Sequence, residues 1–159
     1  MIKKNGTALT RFLDKLAEVK TPEDEYNYFL MSKKKWEEME QADYGIYQKE
    51  TGNFIGACGI FNIDYEKQSA EFGFWLTQDM YGNGYMTEAV KTMEADLFSR
   101  GFNRLVIIMD CENIASENVA KRCGFSHEGN MREWHYNFVL KSYRNMHIYS
   151  KLKKEWNNK

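Results

Sequence analysis

The sequence predicts an α/β domain: a mixed sheet with helices on its faces. Three features carry that expectation. Hydrophobic spacing switches from helical to alternating near Tyr44, the run RLVIIMD at 104–110 is apolar almost throughout, as in a strand covered on both sides, and glycines sit where element types change. At 159 residues the chain fits one domain, spanning 1–159.

The elements follow in order. Residues 1–43 read as helical: Leu9, Phe12, Leu13 and Leu16 fall on one stripe. Thr21 before Pro22 then supplies an N-cap and a first-turn proline for a helix carrying Tyr26, Phe29, Leu30 and Trp36. From Tyr44, YGIYQK and FIGACGIF flank ETGN, a hairpin signal in which Gly52 takes positive φ. A turn around DYEKQS leads to a third strand, AEFGFWL. A helix over 85–100 buries Met86, Val90, Met93 and Leu97 while Glu88, Lys91 and Glu94 point elsewhere, and Gly101 stops it. After RLVIIMD, a short helix over 115–122 sets Val119 and Cys123 on one face, with Gly124 as its left-handed C′ residue. Strands over 126–131 and 144–152 close the sheet, the second aligning Met146, Ile148, Ser150 and Leu152. Between them MREWHYNFVLKSYRN reads as a long connection.

Composition excludes several function classes. With 22 basic and 23 acidic residues the formal charge is −1, so no global field draws in a phosphate backbone, and nucleic acid is not expected as a partner. The basic run KLKKEWNNK reads as a solvated tail. The start lacks the apolar stretch of about 7–15 residues that marks a secretion signal. No segment offers the roughly 18 uncharged apolar residues of a membrane span. A cytoplasmic protein without a membrane partner is therefore expected. Cys58, Cys111 and Cys123 are odd in number and far apart, and read as buried thiols. His127, His135 and His147 have no ligand spacing and no reason to converge, so no metal is expected. Trp36, Trp75 and Trp134 read as packing residues.

YGNGYMTEAV places Gly82 and Gly84 at a strand-to-helix junction. A helix N-terminus exposes unpaired N–H groups and positive potential, so such a junction can cradle an anion. A tight turn with a helix start is the equal alternative. The Walker and dinucleotide patterns both fail, the second because Thr87 stands where the third glycine belongs.

EFGFWLTQDMYGNGYMTEAV followed by NRLVIIMDCENIASENVAKRCGF resembles the GCN5-related N-acetyltransferases, closest to the ribosomal-protein N-acetyltransferase branch (RimJ/RimL-like), over 44–156. The resemblance implies a central, mostly antiparallel sheet in which the strand before the glycine turn carries a bulge and splays from its parallel neighbour. Acetyl-CoA enters that gap, and 44–156 is its binding core. It implies that the backbone of Tyr81, Gly82, Asn83, Gly84, Tyr85 and Met86, continuing into Thr87, binds the pyrophosphate, although Tyr81 replaces the usual Gln or Arg and Met86 the usual Gly or Ala. Phe74, Trp75 and Leu76 match the backbone that pairs with the pantetheine arm and stabilises the oxyanion. The pattern N-x-x-S-x-x-V-A-x-x-x-G-F falls on Asn113, Ser116, Val119, Ala120, Gly124 and Phe125. By bare physics Asn113 and Ser116 are both helix caps. By resemblance Asn113 bonds or orients the pantetheine, Ser116 returns a proton to the leaving thiolate, and Asn118 lines the cofactor edge.

The implied reaction moves the acetyl group to a primary amine, either a protein N-terminal α-amino group or a small-molecule amine, by direct attack in a ternary complex. The other implied reading is a CoA-binding or interaction module that keeps the fold without the turnover. Glu71 either takes the amine proton through water or is a plain strand-edge carboxylate. Glu133, His135 and Tyr143 lie in the connection that borders the acceptor site in this family. Family members begin with a strand that this chain lacks or carries in atypical form. The acceptor wall is then altered, truncated or completed by a second subunit in a homodimer.

Overall fold

The structure, a computed structural model, describes residues 10–14 and 18–156. Residues 10–12 are helical; Leu9 and Leu16 of the expected stripe lie outside the described residues. Helix α1 (Pro22–Glu37) starts where the sequence places it. The Thr21 hydroxyl accepts from the Asp24 amide at 3.1 Å and the Asp24 carboxylate accepts from the Thr21 amide at 2.8 Å, a reciprocal cap that satisfies two orphan donors. The aromatic residues of α1 do not enter a core: Tyr26 and Phe29 stay exposed, and Trp36 packs edge-on to Tyr44.

Strands β1 (Ala42–Tyr47), β2 (Phe54–Asp64) and β3 (Ser69–Leu76) form the expected antiparallel meander, with Gly52 at φ 69° in the first turn. Helix α2 (Tyr85–Ser99) returns the chain to β4 (Arg104–Asp110), which lies parallel to β3. Helix α3 (Ile114–Cys123) ends at Gly124, left-handed at φ 80°, and leads to β5 (Ser126–Asn137), β6 (Ser142–Leu152) and the short α4 (Lys153–Trp156). The six strands run β1-β2-β3-β4-β6-β5, antiparallel at every contact but β3–β4. Among the described residues no strand precedes Ala42.

The core lies between the sheet and helices α2 and α3. Phe72, Val90, Phe98, Leu105, Ile107 and Cys123 are sealed from solvent there. Ile107 pairs with Tyr149, whose hydroxyl donates to Glu117 of α3, so the odd-numbered residues of β4 face the helices. Val106, Ile108 and Asp110 consequently face the far side.

Several expectations need correction. Glu94 does not point to solvent: it is buried against Lys151 of β6. The long connection is instead a hairpin, because β5 continues through a register break between Met131 and His135, where Glu133 adopts φ 50°, and turns at 138–141 into β6. The bulge belongs to β2, where Asn62 and Ile63 stand opposite Ala70 alone, while β3 keeps its register from Glu71 to Leu76. His127 and His147 do converge, on neighbouring strands, with ring centroids 5.0 Å apart and both rings against the Asn130 side-chain oxygen. Of the three thiols, Cys58 and Cys123 are buried and Cys111 only half so, and burial pushes the Cys58 thiol up to about 12.

Candidate functional site

The parallel pair is a fork. Strands β3 and β4 pair from Ser69 with Arg104 to Phe72 with Ile107 and no further, although β3 runs on to Leu76 and β4 to Asp110. Each keeps its outer partner: Leu76 still pairs with Gly56 of β2, and Asp110 with Met146 of β6. From Gly73 onward, therefore, one backbone edge of β3 faces a gap rather than a strand, and its polar groups are open to a ligand.

A cavity of about 420 Å³ fills this gap. Gly73 to Leu76 and Ile108 to Asp110 line its sides, the glycine turn and the first turn of α2 close one end, and the first turns of α3 border it. Gly82 and Gly84 sit at φ 80° and 83°, and a Cβ at either would meet nothing within 4 Å. Glycine is needed at both for backbone conformation, not for space. Gly84 is the N-cap of α2, and the first intrahelical bond runs from the Glu88 amide to the Gly84 carbonyl. The amides of Tyr85, Met86 and Thr87 thus have no partner within the helix. The structure brings together Phe74, Trp75, Leu76, Tyr81, Gly82, Gly84, Tyr85, Met86, Thr87, Asn113, Ser116 and Asn118 around this one cavity. Asn83 differs: its side chain folds back onto the carbonyls of Met80 and Tyr81, tightening the turn, and it lines an outer depression.

That depression adds two cations the sequence reading passed over. Lys91 and Arg122 flank it beside Gly82, Gly84 and Thr87. Lys91 lies one helical turn after Thr87, the spacing that would have found it. Together with the first amides of α2 they form a set of donors around the glycine turn that suits an anion. A phosphate-bearing cofactor fits this donor set.

The Asn113 side chain accepts from the Ser116 amide at 3.1 Å, so Asn113 is the N-cap of α3 as well as a cavity residue. The Ser116 hydroxyl has no protein partner among the described residues. Glu71 stands two residues before the fork, outside the cavity lining, on the same strand face as Gly73 and Trp75. Burial raises its carboxyl above the ordinary range, opposed by a 2.9 Å bond from the Asn62 amide group.

The acceptor candidates lie elsewhere. His135 packs against the Asp14 carboxylate at 3.2 Å, the Glu133 amide donates to Asn145, and Tyr143 is an exposed ring against Tyr136; none lines the cavity. In their place the structure puts Phe12, Leu13, Asp110 and Met146 at the far side of the gap. Burial pushes the Asp110 carboxyl up, but bonds from Arg144 and the Glu112 amide outweigh it and hold it below the usual range. Among the described residues no three His, Cys, Asp or Glu side chains gather as metal ligands.

Residues 4–126 match the family described as acetyltransferase (GNAT) domain. The chain is 32% identical over 114 residues to the uncharacterized N-acetyltransferase p20 of Bacillus licheniformis, covering 71% of this chain and 63% of that one. It is similar to the solved structure of the ribosomal L7/L12 alpha-N-protein acetyltransferase RimL in complex with coenzyme A, with a TM-score of 0.90 and 23% identity over 97% of this chain and 85% of that one. The microcin C7 self-immunity acetyltransferase MccE, solved with acetyl-CoA and AMP, gives 0.89 and 24% over 95% and 82%. At these identities the two structures speak for the fold. The matched region spans about three fifths of the length of the curated relatives.

Proposed function

The chain belongs to the acetyltransferase (GNAT) domain family, and on that premise we propose that it transfers the acetyl group of acetyl-CoA to a primary amine. The acceptor is a protein N-terminal α-amino group or a small-molecule amine. Likeness to the putative ribosomal N-acetyltransferase YdaF of Bacillus subtilis, 31% identical over 106 residues, supports the first of these and the RimJ/RimL-like branch. The observation that carries the proposal is the fork after Phe72 and Ile107, whose cavity joins an anion-binding end to an apolar one.

Acetyl-CoA supplies an activated thioester, and this chain's residues supply its setting. The amides of Tyr85, Met86 and Thr87 hold the pyrophosphate, with Lys91 and Arg122 adding positive charge. The exposed edge of Phe74 to Leu76 binds the pantetheine arm by main-chain bonds. In the transfer an N–C bond forms as the C–S bond breaks, the amine gives up one proton and the thiolate takes one. Glu71 receives the first through water, and Ser116 provides the second. Orientation of amine and thioester in one gap supplies much of the rate. Cys58, Cys111 and Cys123 form no disulfide, which suits a reducing compartment, so the cytoplasm is the proposed location.

The test is calorimetric titration with CoA, together with thiol release from acetyl-CoA in the presence of N-terminal peptides and small amines. Amine-dependent release above background is expected. CoA binding without release would leave only a binding module.

A further inference from the structure

The two ends of the cavity differ in chemistry, and the difference bears on the acceptor. Among the described residues, Asp110 and Arg122 are the only charged ones lining it, and Arg122 belongs to the anion end. Asp110 is not free to meet a cation: one of its oxygens accepts from the Arg144 Nε at 2.7 Å, the other from Arg144 Nη2 at 3.1 Å and the Glu112 amide at 2.8 Å. The rest of the far side is apolar, formed by Trp75, Ile108, Met146, Phe12 and Leu13.

Phe12 and Leu13 are held there from both flanks. Arg11 bonds Glu112 at 2.7 Å, and Glu112 bonds Arg144. The Arg11 carbonyl accepts from Asn137, a residue 1% exposed, at 2.9 Å. Asp14, also buried, accepts from the Phe138 amide at 3.0 Å and faces His135. Residues 11–14 therefore form a strap between the end of β4 and the β5–β6 turn, and its two apolar side chains are a wall of the site.

We propose that this wall selects an amine carried next to an apolar body, such as the α-amino group of a peptide beginning with a large aliphatic or aromatic residue, and turns away polycations. The proposal rests on the acetyltransferase reading above. A polyamine entering here sheds water from several ammonium groups and finds, among the described residues of the lining, no carboxylate that is not already bonded to Arg144. An α-amino group carries one charge, titrates near pH 7.7–8.0 in water, roughly, and is pushed further toward the neutral, attacking form by apolar surroundings. The wall thus supplies affinity for the neighbouring side chain and helps to discharge the amine. His135 and Asp14, in this light, are positioning residues for the strap.

The experiment compares kcat/KM by thiol release for tetrapeptides that begin with Leu, Phe, Ser or Glu and are otherwise identical, and for spermidine. Leu and Phe are expected to exceed Ser and Glu by about tenfold or more, the discrimination a few buried methylenes supply, with spermidine poorest. Phe12→Ala and Leu13→Ala should pull these ratios toward one while CoA affinity by calorimetry holds; Met146→Ser, on a strand away from the strap, should act likewise if a strap variant melts early. Spermidine or the Glu peptide equalling the Leu peptide overturns the selection and leaves the acetyltransferase reading standing. Thiol release with no acceptor at all, from a protein that still binds CoA, overturns both.

Discussion

Lys151 of β6 and Glu94 of α2 form an ion pair that solvent does not reach, at 2% and 3% exposure. The Lys151 ammonium also donates to the Cys123 carbonyl at 2.8 Å, at the end of α3, and one Glu94 oxygen has no hydrogen-bond partner among the described residues. The pair ties together the two helices whose first turns border the cavity. Removing one partner strands a charge in the core, so Lys151→Met should cost about 3–5 kcal/mol. The double variant Lys151→Met with Glu94→Leu should recover most of that loss, because two apolar side chains of similar size leave nothing unpaired. Urea denaturation of the single and double variants measures both; a single variant within about 1 kcal/mol of the parent would mean that the pair is solvated in solution.

Gly84 and Gly56 are needed for opposite reasons, which makes them a matched pair. At Gly84 a Cβ has free space but φ is 83°, so Gly84→Ala should cost about 1–2 kcal/mol. The strain falls on the N-cap of α2, so CoA affinity should drop with it. At Gly56 φ is ordinary but a Cβ would meet the Trp75 carbonyl oxygen at 2.2 Å. That contact is with a backbone atom and cannot relax by a rotamer change, so Gly56→Ala should destabilise more and spoil the β2–β3 register that shapes the gap. Thermal melts and CoA calorimetry on both variants distinguish the two cases.

What was legible in the chain was legible for local reasons. Thr21 with Pro22, Gly52, Gly84, Asn113 and Gly124 act within a turn of their own position, and each does in the structure what its neighbours imply. Glu94 was not legible, because its partner is 57 positions away and a glutamate beside Met93 reads as the wet side of a helix. The β5–β6 hairpin was hidden by the left-handed Glu133, which breaks the alternation by which a strand is read. Phe12 and Leu13 were seen as a helix stripe, but their cavity position depends on Asp14 and Asn137, a link of more than a hundred residues. The glycine turn at 81–87 is built from consecutive residues and so could be read, whereas Arg122, which reaches the same end from α3, was passed over. The apolar end is assembled from four distant segments.

Stability should fall in acid through Glu128. Arg104 bonds both of its oxygens and Ser150 one, and these bonds, Arg104 foremost, depress its carboxyl to about 2 despite some desolvation. A folded-state value below the unfolded one means that the stabilisation is complete above the ordinary glutamate range near pH 4.5, and is lost as pH falls toward 2. The group is more than a third exposed, so the contribution is modest and salt-sensitive. Glu128→Gln should flatten the stability curve across that window and leave it parallel to the parent above it. Urea midpoints at several acidic pH values, at low and high salt, measure the effect.

Glu71 and Ser116 are expected to act on different limbs of catalysis. A base must be ionised to accept a proton, and burial raises the Glu71 carboxyl above the ordinary range. The acid limb of kcat should therefore lie at higher pH than a free glutamate would give, and activity should rise as pH passes upward through it. Glu71→Gln should remove that limb and lower kcat by about 10²-fold or more if this carboxylate is the only relay. Ser116→Ala should lower kcat without moving the limb, since the proton proposed for it goes to the leaving thiolate; its amide still donates to the Asn113 cap, so stability should hold. A profile in Glu71→Gln that keeps the parent's shape would assign the limb to the amine itself and return Glu71 to its hydrogen bond with Asn62.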